Sequence, residues 1–378
     1  MEPSTLEDVE RRAAAAGHWD EIHSLVEIAK DALAFKPPRY VEALLGRWWT
    51  WFPPHRELSE FRIISLWKLR RTIKYLLDVT VPSILKDPAK GHGGGIFANP
   101  PKIFLVGDSE GRRDSFPEEA WFFINGLVAN QDLAETHARS LARLVCRPFT
   151  VVHNATDSVG VDLIESVIGM GWGVATRPAR KAYRELLEAL ENEGKKRVIV
   201  VCYSQGAIIM GNALRALQDP AFKARLFEPR GEGDTDAESC PPDLEDHTLL
   251  TKLEIYAFAN CSLSMRYDAE MAARGLRVPW IESFANQYDL TARLGMLAPH
   301  KERHGIAIDG AKYVRQGKWG HQLNEHYLFE IYDCLEAGKG RQPYPLVPED
   351  GQPQDPTPRL YAYFGGRAPA AYPTKVAG

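Results

Sequence analysis

The chain is poor in cysteine, and its cysteines are not spaced for a shared task. There are five among 378 residues: Cys146, Cys202, Cys240, Cys261 and Cys334. None forms a C-x-x-C pair and none belongs to a Cys/His cluster, so neither a disulfide framework nor a metal site is expected. Positive charge is not in excess. Lys and Arg number 46 against 50 Asp and Glu, a formal net charge of −4, which argues against a nucleic-acid partner. No apolar run approaches the roughly 18 residues that a membrane-spanning helix needs. The opening residues, Met1 to Arg12, are polar and lack the apolar stretch of a secretory signal. The expectation is a reduced, cytoplasmic protein. Hydrophobic residues at 44% and charged residues at 25% match a soluble globular chain. The length allows one large α/β domain with additions, or two domains.

Residues 1–99 read as a helical extension. Ile22, Leu25, Val26 and Ala29 recur at helical spacing between Asp20 and Phe35, before Pro37 and Pro38. Trp48, Trp49, Trp51 and Phe52 cluster ahead of Pro53 and Pro54. Between Glu60 and Asp78, an apolar stripe of Ile63, Leu66, Leu69, Ile73 and Leu76 faces Arg62, Lys68, Arg70, Arg71 and Lys74. The plain reading of 44–78 is a packed helical unit, serving as a lid or cap. The other reading is peripheral contact with an anionic membrane surface.

Glycines 93–95 and Pro100-Pro101 mark the start of a core at 100–337. Segments 102–106, 120–126, 149–153, 198–201, 253–259, 280–285 and 305–308 read as strands. Segments 132–144, 164–170, 178–193, 207–217 and 322–337 read as helices. Continuous apolar strands alternating with helices imply an α/β fold, a mostly parallel sheet covered on both faces in three α/β/α layers. An acidic insertion occupies 230–246, and a Pro/Gly-rich tail, expected to be poorly ordered, occupies 338–378.

The most informative stretch is Arg197 to Met210. A β-branched run stops at Ser204, Gly206 follows, and an apolar helix begins. Strand, sharp turn and helix with a hydroxyl at the tip form a nucleophile elbow. A serine hydroxyl is a weak nucleophile and needs an imidazole to take its proton and a carboxylate to orient that imidazole. Both should stand at carboxyl ends of later strands. Asp289, in the loop after 280–285, fits the acid, and an N-cap is its alternative role. Asp309, Asp268 and Asp157 are weaker candidates. Two histidines precede or open the closing helix, His321 in the loop and His326 five residues on. His321 is preferred as the base because a loop position can reach over the sheet, and His326 is then left to orient the loop or touch substrate. His247, His300 and His304 read as surface residues. An oxyanion needs backbone donors. The amide of Gln205 is one, and the Gly126–Leu127 turn supplies the other, with the Asn125 side chain as a further donor. The expected elbow has glycine two residues before the serine, where this chain has Cys202. Cysteine is small enough for the turn.

These residues resemble the α/β-hydrolase superfamily. More narrowly, they are similar to uncharacterised fungal and bacterial hydrolase-like proteins carrying Phe123 to Gly126, His153-Asn154, the elbow Tyr203 to Gly206, Phe284 to Asn286 with Asp289, and Gly320 to Tyr327. The Tyr-Ser-Gln-Gly elbow is also similar to that of cutinases. The resemblance covers about 100–337. It implies an esterase or lipase type of activity on a small-molecule or lipid ester, with no cofactor, and it implies no particular substrate. The rivals are a non-catalytic binding protein on the same fold and a lipid-surface protein.

Overall fold

The computed structural model describes residues 58–60, 103–107, 116–126, 131–154, 177–228, 240–336 and 357–370. The helices expected before residue 58 and over 61–78, the aromatic cluster at 48–52, the helix at 164–170, Leu127 and residues 230–239 lie outside these.

Nine strands are described: β1 (Ile103–Val106), β2 (Glu119–Ile124), β3 (Phe149–Val152), β4 (Arg197–Tyr203), β5 (Leu253–Phe258), β6 (Ser264–Met265), β7 (Trp280–Asn286), β8 (Ala307–Ile308) and β9 (Ala311–Arg315). Seven form one sheet in the order β1-β3-β2-β4-β5-β7-β9, and β6 and β8 form a separate pair. Only β1 is antiparallel to its neighbour; the other pairings in the large sheet are parallel. The result is a mixed α/β protein with a mostly parallel central sheet, compatible with an α/β-hydrolase-like fold.

The strands form where β-branched and aromatic residues run without interruption. Val198 to Val201 and Ile255 to Phe258 are buried on both faces, as central parallel strands are. Phe123, Phe149 and Phe258 are fully buried, each contributing roughly 1.5–3 kcal/mol of transfer free energy. The helices α1 (Gln131–Val145), α2 (Arg177–Glu191), α3 (Gln205–Gln218), α4 (Pro220–Phe227), α5 (Ala269–Ala273) and α6 (Phe329–Glu336) follow. Helix α2 packs on α3, and α1 packs along β1 and β3. Among the described residues no helix is long and apolar enough to cross a membrane.

Two expectations are corrected. Residues 305–308 are not the last strand of the large sheet: Ala307 and Ile308 pair with Ser264 and Met265, and β9 takes the edge beside β7. The second correction concerns the tail. Residues 357–370 are packed, with Leu360, Tyr363 and Phe364 buried. They cover two carboxylates inside the sheet, Glu254 and Glu282. Glu254 accepts from the hydroxyls of Tyr256 at 2.6 Å and Tyr363 at 2.9 Å and from Arg359 Nη2 at 3.1 Å. Glu282 accepts from the backbone N–H of Arg359 at 2.7 Å and of Leu360 at 3.3 Å. Buried carboxylates need such partners, and the segment supplies them.

Candidate active site

The carboxyl ends of β2, β4, β7 and β9 converge, and the loops that follow them carry the chemistry-bearing residues. Ser204 follows β4 with φ 56° and ψ −124°. A non-glycine residue at such angles costs of order 1–3 kcal/mol. Neighbouring contacts hold it there. The Ser204 N–H donates to the Phe258 carbonyl at 2.9 Å, and the Ala207 N–H donates to the Ser204 carbonyl at 2.9 Å. Gly206 makes the turn possible, because a Cβ there would lie 2.2 Å from the Ile124 carbonyl oxygen. Cys202 sits in the strand between Ile124 and Ala257, fully buried. Burial, with a smaller contribution from Cys261, pushes its thiol pKa well up, so it stays protonated and is no nucleophile.

His321 is 21% exposed in its side chain, against 0% for Asp289. Its Nε2 lies 3.0 Å from Ser204 Oγ, and its Nδ1 lies 3.0 and 2.9 Å from the two Asp289 oxygens. A carboxylate accepts only, so Nδ1 carries the proton and Nε2 is left to accept from the serine hydroxyl. Asp289 also accepts from Tyr327 Oη at 2.5 Å and from the backbone N–H groups of Thr291 at 2.8 Å and Ala292 at 3.3 Å. Burial alone would raise its pKa. The charge and hydrogen bond of His321 and the Tyr327 and Ala292 bonds outweigh that and hold the carboxyl below its usual range. Asp289 takes the Thr291 amide and the His321 ring together.

His326 is placed differently. Its Nδ1 accepts from the Gln322 N–H at 2.9 Å, and burial pushes its pKa down to about 4, so it is neutral near pH 7. It fills the space beside Gly320, where a Cβ would come within 2.5 Å of the ring. Gly320, at φ 96°, lets the chain turn there. Of the two histidines, the one bonded to Ser204 is His321.

Gln205 begins α3 directly after Ser204. Gly126 lies against the serine: a Cβ there would be 2.8 Å from Ser204 Cβ. The Asn125 side chain is not a donor to the site. Its amide group bonds the carbonyls of Gly126 at 3.0 Å and Asn154 at 2.9 Å, and its oxygen accepts from the Asn154 N–H at 2.8 Å. It ties the ends of β2 and β3 together. Asn154 in turn donates to the Gln205 side chain. The other candidates serve elsewhere. Asp268 caps α5 through the Met271 N–H and pairs with His247, Asp309 accepts from the Tyr267 N–H, and Asp157 lies outside the described residues. His304 is buried rather than on the surface.

Four supporting residues have no role that the sequence alone assigns. Tyr203, beside the serine, stacks on His321 at 5.0 Å and bonds the His321 carbonyl with its hydroxyl at 2.5 Å. Tyr327 orients Asp289. Asn286 ends β7 and donates to the carbonyls of Gly320 at 3.0 Å and His326 at 3.2 Å. Thr291 Oγ1 stands 3.4 Å from His321 Nε2. Their common signal is adjacency to the turn residues, since each lies within a few positions of Ser204, Asp289 or His326. Among the described residues no group of His, Cys, Asp and Glu side chains is arranged to hold a metal ion.

No family model matches the chain, and no curated protein matches it. Among solved structures, esterase B from Lactobacillus Rhamnosis (HN001) matches at 9% identity, over 74% of this chain and 92% of that one, with a TM-score of 0.37.

Proposed function

We propose that the protein is a serine hydrolase that cleaves a carboxylic ester through an acyl-enzyme. What carries this reading is the continuous chain of contacts from Ser204 Oγ through the His321 ring to the buried Asp289, with a strained backbone at the serine. Ser204 Oγ attacks the ester carbonyl carbon while His321 Nε2 takes its proton. Asp289 holds the imidazole in the tautomer that can accept, and stabilises the imidazolium. The amides of Gln205 and Gly126, on either side of Ser204, serve the oxyanion. The tetrahedral intermediate collapses, the alcohol leaves with the proton from His321, and the acyl group stays on Ser204. Water, deprotonated by His321, then attacks the acyl carbon, and the acid leaves as Ser204 recovers its proton. No cofactor enters these steps.

In this reading the core is a three-layer α/β/α hydrolase domain over 100–337. The substrate is a small-molecule or lipid ester. The experiment is hydrolysis of a series of p-nitrophenyl esters by the full-length chain and by Ser204→Ala. Turnover by the wild type that falls by about 10³-fold or more in the variant is expected. Equal rates in the two proteins would remove Ser204 from the mechanism.

A further inference from the structure

The loop carrying His321 is held by a residue from outside the α/β core. Glu60 is buried, at 4% exposure, and its carboxylate takes three donors. Oε1 accepts from the Asn324 N–H at 2.9 Å and meets His137 Nε2 at 2.8 Å, and Oε2 accepts from the Glu325 N–H at 3.0 Å. Burial alone would raise the Glu60 pKa. The His137 hydrogen bond and charge, with the two amides, hold it below the usual carboxylate value, so Glu60 is an anion. The contact is reciprocal. Asn324 Nδ2 donates to the Leu58 carbonyl at 2.7 Å, and the Ser59 hydroxyl donates to the Glu325 carboxylate.

Asn324 stands three residues after His321, at the start of the π-helical turn Asn324–Leu328. A second route runs through rings. His137 meets Tyr203 edge to face at 5.7 Å, and Tyr203 stacks on His321 and bonds its carbonyl. One carboxylate therefore fixes the His321 loop by its backbone and, through His137 and Tyr203, by its ring.

We propose that Glu60 is a positioning residue for His321: it sets the seat of the loop that brings His321 Nε2 to Ser204 Oγ, and so couples the segment ahead of the core to the rate of serine attack. This rests on the hydrolase reading above. A misplacement of about 1 Å can cost up to roughly 100-fold in rate, so a shift of part of that size is enough to be measured.

The test compares the full-length wild type with Glu60→Gln, which keeps the side-chain size but replaces one accepting oxygen with an amide that cannot accept an N–H. The readouts are the rate constant and the final stoichiometry of fluorophosphonate labelling, and kcat and KM for a small p-nitrophenyl ester. The expected result is labelling about 10-fold slower to the same endpoint, with kcat lowered by the same factor and KM unchanged. A merely structural role would lower the endpoint and leave the rate constant of the molecules that do label at the wild-type value, and that result overturns the proposal. Where Glu60→Gln does not fold, Glu60→Asp is measured instead. It keeps the charge but shortens the reach to the Asn324 and Glu325 amides. Labelling at least about 3-fold slower supports the coupling, and an unchanged rate overturns it. A wild type that does not label at all is a different failure: it removes the hydrolase reading, and this proposal with it.

Discussion

The hydroxyl of Tyr203 donates to the backbone carbonyl of His321 at 2.5 Å, and the two rings stack with centroids 5.0 Å apart. The residue before the candidate nucleophile thus grips the candidate base, by the backbone and by the ring. Tyr203→Phe keeps the stack and removes the hydrogen bond. It is expected to cost about 1 kcal/mol of stability and to lower kcat about 3- to 10-fold through a looser His321. Chemical denaturation and ester hydrolysis measure the two effects separately.

The elbow depends on a missing side chain. At Gly206, any Cβ would collide with the Ile124 carbonyl at 2.2 Å and the Asn125 carbonyl at 2.9 Å, and backbone cannot step aside as a flexible side chain can. Gly206→Ala is expected to cost roughly 1–3 kcal/mol and to lower turnover by pushing the start of α3 away from the end of β2. Thermal denaturation with an activity assay checks both.

His326 makes stability acid-sensitive. Its pKa drops from 6.5 unfolded to about 4 folded, chiefly because burial disfavours the charged form. The unfolded chain then binds the extra proton, so the contribution is fully present above pH 6.5 and is lost as pH falls through about 4. His326→Asn leaves an acceptor for the Gln322 N–H and does not titrate. Its thermal midpoint is expected to fall less than that of the wild type between pH 6.5 and 4. Parallel curves would contradict this.

Glu282 works in the opposite direction. Burial raises its pKa from 4.5 to about 7, against the pull of the Arg359 and Leu360 amides. The folded state holds a proton that the unfolded state releases, so the contribution is fully present below pH 4.5 and is lost as pH rises through about 7. Glu282→Gln is expected to lose less of its thermal midpoint than the wild type between pH 5 and 8, read by differential scanning fluorimetry.

Much of the sheet was legible because its central strands are buried on both faces and so run apolar without a break, as Val198 to Val201 does. Strand β9 was not, because Ala311–Arg315 places Lys312 and Arg315 among its apolar residues and hides the period. The 357–370 segment was hidden by composition: prolines and glycines surround Leu360, Tyr363 and Phe364, whose burial depends on Glu254 and Glu282 about 100 and 80 residues earlier. In the site, Ser204, Asp289 and His321 were named from spacing and strand order. The choice between two histidines five residues apart was open, since it turns on Gly320, whose positive φ no spacing reveals. The Glu60 contact was invisible for the same reason as the tail: a carboxylate with no local pattern finds its partners 264 and 265 residues downstream.

In the proposed mechanism His321 activates the Ser204 hydroxyl. The most direct measurement is fluorophosphonate labelling of the folded, full-length chain, followed by mass mapping of the adduct. The expected result is one adduct per chain, on the peptide containing Ser204, absent from Ser204→Ala and much slower in His321→Ala. A folded wild type that takes no adduct, or an adduct that persists in Ser204→Ala, would contradict it.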